Sequence, residues 1–210
     1  MLKIKHRFEV IEEFVRGKDV LDVGCVGLGY QRTGDFWVHG RICKVARRVV
    51  GVDIQREEVA RLKEEGYEVV IADINKRMDL GETFDVINVG QVLTYLTDFD
   101  TFFDNIKRHL RPNGLLILSV TNAHSLKNFL KYTLGRLDFT YTNFQNEISM
   151  RRLLDRYGFE ARSVKYVEEP SRRIMGKIYQ FIFRFLPSHL SSHIIVIASQ
   201  KTAREAPIDT

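Results

Sequence analysis

Three places in this chain set chemically useful groups directly after short apolar runs. The first is Val20-Leu21-Asp22-Val23-Gly24-Cys25-Val26-Gly27-Leu28-Gly29, a run that opens into three glycines within six positions. Glycine has no Cβ and accepts positive φ, so such a turn can bring backbone N–H groups against a carboxylate, a ribose or a phosphate. A tight turn with no ligand is the plainer alternative. The second run ends in Asp53 followed by Ile54, and the third in Asp73 followed by Ile74. An acid at the second strand end is placed to accept hydrogen bonds from ribose hydroxyls, and one at the third from an adenine amine. Taken singly, each acid is more often a helix N-cap. Taken with the glycine turn, they make three consecutive run ends agree on one kind of ligand.

These groups share a site only if the runs are strands whose ends lie on one rim. Apolar runs at residues 20–23, 49–52, 69–72, 84–89, 115–120, 162–167 and 193–199 read as seven strands. Segments of helical spacing separate them. Residues 57–65 put Val59 and Leu62 on one face, and residues 101–110 put Phe102, Phe103, Ile106 and Leu110 at spacings of three and four. The second of these stops at Arg111-Pro112-Asn113-Gly114, where proline forbids continuation. Residues 125–134 and 149–157 each open on a serine N-cap and end before Gly135 and Gly158. Strands alternating with helices indicate βαβ units and a largely parallel sheet between helical layers.

Composition agrees with one folded α/β domain over residues 1–201, with an unstructured tail at 202–210. At 210 residues, 44% hydrophobic and 28% charged, the chain lies far from the composition of disordered proteins. The net charge of +5 is scattered, which gives no strong nucleic-acid signal. The charged first residues exclude a secretory signal, and no stretch suggests a transmembrane segment. Two cysteines, Cys25 and Cys43, are too few for a disulfide framework or a zinc site, so no metal and a cytoplasmic location are expected.

With those residues in view, segments 20–29, 49–55, 71–74, 84–96 and 110–118 resemble successive motifs of the class I S-adenosylmethionine-dependent methyltransferases, small stand-alone type. The resemblance runs through about the first 120 residues. It implies a three-layer Rossmann-like sandwich with a seven-stranded, mostly parallel sheet whose last strand is antiparallel, and S-adenosyl-L-methionine as cofactor. It implies that Asp22, Gly24, Cys25, Gly27 and Gly29 cradle the methionine part, Asp53 the ribose, and Ile54 one adenine face. Asp73 and Ile74 would meet the adenine edge, and Gly90 and Gln91 would lie near the transferred methyl. Two features depart from the family pattern. The turn reads Gly-x-x-Gly-x-Gly and is followed by a long segment, 30–41, and Thr94-Tyr95-Leu96 stands where many relatives carry Glu-His-Leu. The glycine spacings run in the reverse order of an NAD dehydrogenase fingerprint, which disfavours an NAD-dependent oxidoreductase. No Asn/Asp-Pro-Pro-aromatic run follows the fourth strand, which disfavours nucleic-acid amines as acceptors.

A small-molecule acceptor, possibly methylated on a hydroxyl, is therefore the expectation, and a non-catalytic S-adenosylmethionine-binding protein is the alternative. Alignment alone supplies much of the catalysis in a displacement from a sulfonium. Where a base is used, Tyr95 and His124 are the candidates, although Tyr95 can equally cover the site with its ring and His124 can be a solvated residue. Cys25 reads as a spacer in the turn. His39 either faces the site or begins a helix at the surface. The aromatic stretch 138–144 suits a pocket wall or loop packing. The amphipathic segment 173–186 suits a core helix or homodimer surface, a lid over an apolar acceptor, or a membrane-surface contact.

Overall fold

The computed structural model describes residues 7–27, 37–135, 143–168, 181 and 185–201. Every expected apolar run is a strand: β1 Asp19–Val23, β2 Arg48–Asp53, β3 Val69–Ile71, β4 Phe84–Gly90, β5 Leu110–Thr121, β6 Phe159–Val167 and β7 His193–Gln200. They form one seven-stranded sheet in the order β3-β2-β1-β4-β5-β7-β6. β1 runs parallel to β2 and β4, β2 to β3, and β4 to β5, whereas β7 is antiparallel to both β5 and β6. The mostly parallel sheet with a reversed last strand is thus present. The order turns back between β1 and β4, and a crevice opens beyond the strand ends at such a switch point.

Helices α1 Arg7–Val15, α2 Val38–Ile42, α3 Arg56–Glu64, α4 Phe99–His109, α5 Leu126–Thr133 and α6 Glu147–Arg156 accompany the sheet. Phe102, Phe103 and Ile106 of α4, with Met150 and Leu154 of α6, bury against Leu21, Val50, Ile87 and Leu116. On the opposite face Phe8, Ile11 and Val15 of α1 and Ile42 of α2 bury against Val20, Val49, Val86 and Ile117. Because both faces are covered, β1, β2 and β4 read as nearly continuous apolar runs rather than alternating ones.

Local details differ from the sequence reading. β5 starts as soon as α4 ends. Its ladder pairs Phe84 with Leu110 and Val86 with Leu115, so residues 111–114 bulge out with Asn113 at φ 63°. That bulge is the expected proline-glycine turn, absorbed into the strand. Asn146, not Ser149, caps α6: its side chain accepts from Ser149 N at 2.9 Å while the serine hydroxyl accepts from Asn146 N at 2.9 Å. A reciprocal box satisfies two orphan N–H groups where a lone serine would satisfy one. Ser125 does cap α5, accepting from Asn128 N at 3.2 Å. α1 was not foreseen. Gly29, residues 30–36, residues 138–142, most of segment 173–186 and the tail 202–210 lie outside the described residues.

Candidate functional site

The C-terminal ends of β1, β2, β3 and β4 border one cavity of about 540 Å³. β1 leads into Gly24 at φ +83°, and a Cβ there would sit 2.6 Å from Val92 Cγ2. Only glycine lets the chain turn this closely beneath the segment that follows β4. Gly27, Cys25 and Asp22 line the same cavity. The Cys25 carbonyl accepts from Trp37 Nε1 at 2.8 Å. Burial, with Asp22 and Asp53 nearby, pushes the Cys25 thiol up, which keeps it protonated and suits the spacer role.

Asp53 at the end of β2 accepts from Val26 N and from Gln55 N, one bond on each carboxylate oxygen and both at 3.1 Å. It ties the glycine turn of β1 to β2. Each oxygen retains a lone pair, and both Asp53 and the next residue line the cavity. That next residue, Ile54, is 64% exposed, an apolar surface without protein cover, while Ile74 is buried. Asp73, half-buried, accepts from Asn75 N at 3.0 Å and has Lys76 Nζ at 3.7 Å. An aliphatic side chain on the wall with carboxylates to either side fits a flat base joined to a diol.

After β4, Gly90 and Gln91 also line the cavity, Gln91 at φ 58°. A Thr94 hydroxyl bond to the Gln91 carbonyl at 3.0 Å and a Gln91 N bond to the Ser119 carbonyl at 2.9 Å hold this bend. Tyr95 is at the mouth, half exposed. His124 is placed elsewhere: it is exposed, is not a lining residue, and its Nε2 lies 3.3 Å from Asn146 Nδ2. The cavity therefore brings together Asp22, Gly24, Cys25, Gly27, Asp53, Ile54, Asp73, Ile74, Gly90, Gln91 and Tyr95, and not His124.

His39 takes the inward of its two alternatives. It is 1% exposed, and its Nδ1 donates to Asp22 Oδ2 at 2.8 Å while Asn88 Nδ2 donates to Asp22 Oδ1 at 2.7 Å. Asp22, Asn88 and Ser119 are buried on adjacent strands, and among the described residues Asn88 Oδ1 and Ser119 Oγ are left without hydrogen-bond partners. Unsatisfied buried polar atoms are costly, and both of these residues line the cavity, so a ligand there would complete them. The sequence reading passed over Asn88, Ser119 and Arg7, which also lines the cavity from the start of α1. Asn88 and Ser119 did carry a signal, a polar residue inside an otherwise apolar run near its C-terminal end. Arg7 carried none, because its helix went unrecognised. Among the described residues no cluster of histidine, cysteine and acidic side chains could hold a metal.

Residues 2–164 match the model of a family described as a methyltransferase domain. A probable S-adenosylmethionine-dependent methyltransferase of Mycolicibacterium smegmatis is 32% identical over 69% of this chain and 52% of its own. A ubiquinone biosynthesis O-methyltransferase of Rickettsia conorii is 21% identical over 81% of this chain and 61% of its own. The chain thus spans between half and two thirds of the length of these curated relatives. The solved structure of an S-adenosylmethionine-dependent methyltransferase from Mesorhizobium loti superposes with a TM-score of 0.64 at 17% identity, covering 91% of this chain and 95% of that one.

Proposed function

The chain belongs to the methyltransferase-domain family, and from that premise we propose that it transfers a methyl group from S-adenosylmethionine to a small apolar molecule, on oxygen. One observation carries the cofactor side: the ends of β1, β2 and β3 set the glycine turn, Asp53 and Asp73 along one cavity, in the order that methionine, ribose and adenine follow in the cofactor. Bound there, the cofactor supplies an electrophilic methyl on a sulfonium.

The chain's own residues do the rest. Asp53 would accept from the ribose hydroxyls with the lone pairs its backbone bonds leave open, and Ile54 and Ile74 would flank the base. Arg7 would take the methionine carboxylate, the role for which a guanidinium fork is suited. Asn88 Oδ1 and Ser119 Oγ are acceptors for the cationic end. Gly90, with no side chain, and the bend at Gln91 leave the acceptor's approach open, and Tyr95 covers the mouth. Alignment by these groups can supply much of the rate acceleration, up to about 7–11 kcal/mol in well-oriented systems. A base is not required, and Tyr95 is the titratable residue at the mouth.

Oxygen as the acceptor atom is supported by the O-methyltransferase named among the relatives. An apolar acceptor would take as its cover the amphipathic segment that includes Phe181 and Phe185, both exposed with ring centroids 6.0 Å apart, although neither ring lines the cofactor cavity. The two free cysteines, Cys25 and Cys43, support a reducing compartment, and no described helix is long and apolar enough to cross a membrane.

The test has two stages. Calorimetry with S-adenosylhomocysteine and with NAD should show binding of the first only. Incubation of a cell extract with methyl-labelled cofactor should then label a small lipophilic compound as a methyl ether. Binding without any labelled product would favour a non-catalytic cofactor-binding protein, and labelled protein or nucleic acid would refute the acceptor class.

A further inference from the structure

Asp22 is a carboxylate only 3% exposed, set in a strand otherwise made of apolar side chains along its buried stretch. A buried carboxylate needs partners, and among the described residues Asp22 has two, the Asn88 amide at 2.7 Å and the His39 imidazole at 2.8 Å. The fold makes room for that imidazole. A Cβ on Gly51 would stand 2.8 Å from His39 Cε1 and from Cys25 Sγ, so the second strand carries glycine where the ring packs. The Trp37 and Tyr67 rings have centroids 5.5 and 5.8 Å from it. His39 Nε2 is buried and has no hydrogen-bond partner among the described residues.

Asp22, His39 and Asn88 all line the cofactor cavity. Among the described residues, the other ionisable groups around the imidazole are Cys25 after β1, Cys43 at the end of its own helix, and Tyr67 before β3, with Asp53 and Arg7 on the cavity wall. Burial alone would push the His39 pKa down, but the hydrogen bond to Asp22, with a lesser contribution from Cys43, holds it up at about 9. With His39 protonated, its charge and that of the Asp22 carboxylate cancel.

The two ligands that alternate in such a cavity differ by one charge. The cofactor carries a sulfonium and its demethylated product a neutral thioether. An uncompensated Asp22 favours the first over the second, and a protonated His39 removes that preference. We infer that His39, acting through Asp22, sets the charge of this wall and thereby how strongly the protein prefers the sulfonium cofactor to the thioether product. It is a positioning residue that determines ligand specificity, and the inference rests on the cofactor assigned above. Linkage makes the effect reciprocal: the ligand that prefers an uncompensated carboxylate must lower the proton affinity of His39.

Two measurements on the full chain test this. NMR of the 15N-labelled imidazole, titrated from about pH 6 to 10, should give a His39 midpoint lower by about half a unit or more with saturating S-adenosylmethionine than with S-adenosylhomocysteine. Calorimetry near pH 7.5 should show that His39→Gln, which keeps a neutral donor to Asp22, raises the ratio of cofactor to product affinity by about three- to tenfold. Equal His39 midpoints in the two complexes would overturn the inference, as would an unchanged ratio in a folded variant. A merely structural histidine would weaken both ligands alike. Should His39→Gln not fold, the two wild-type midpoints decide alone. Wild-type protein that binds neither ligand would overturn the cofactor assignment and this inference with it, whereas binding of both with equal midpoints would overturn only the inference.

Discussion

Asp53 shows how one side chain can serve the fold and the ligand together. It holds Val26 N at 3.1 Å, and so the glycine turn, while facing the cavity with unused lone pairs. Asp53→Ala should therefore weaken S-adenosylhomocysteine by about 1–3 kcal/mol, roughly 5- to 150-fold in calorimetric Kd, through lost buried hydrogen bonds. Unaltered affinity would remove Asp53 from the site. The carboxylates were legible in the sequence because each directly follows an apolar run. Their hydrogen bonds to the turn were not, since Val26 and Asp53 meet only when β1 and β2 pair.

At the level of elements, caps and short helices decide what faces the cavity. The box between Asn146 and Ser149 starts α6, whose Met150 and Leu154 enter the core. Asn146→Ala should cost about 1 kcal/mol, a fall of about 2–4 °C in Tm for a chain of this size by calorimetric scanning, with ligand affinity unaltered. α2, only Val38–Ile42, has too few residues to announce itself by periodicity, yet it carries His39 to Asp22. Phe181 and Phe185 belong to the amphipathic segment proposed to cover the acceptor. Changing both to serine should raise KM for an apolar acceptor several-fold while leaving S-adenosylhomocysteine affinity intact, and unchanged turnover with folding preserved would refute that role.

Across the whole molecule, the buried His39–Asp22 pair makes stability depend on pH. The folded His39 pKa of about 9 lies above the ordinary 6.5, so the folded state binds the proton more tightly than the unfolded chain. That contribution is fully present below about pH 6.5 and is lost as pH rises through about 9, up to about 3 kcal/mol in total. Urea midpoints should accordingly fall between those limits, and His39→Gln should flatten the slope over that window. The raised Cys25 thiol adds a loss of the same sign above the ordinary thiol pKa.

The sequence by itself determined the strands of the sheet, helices α3 to α6 and the family of its cofactor. Strands buried on both faces must be apolar throughout, a glycine turn must follow a strand to bring backbone against a ligand, and both are local patterns that survive without coordinates. Tertiary structure alone decided which polar residues meet. Asp22, His39, Asn88 and Ser119 come from three strands and a five-residue helix spread between positions 22 and 119 of the chain. Nothing local announces that Gly51 is small to admit the His39 ring, or that His124 stands off the cavity that Tyr95 borders. Charge pairing and close approach depend on contacts between distant segments, and only the folded chain sets those distances.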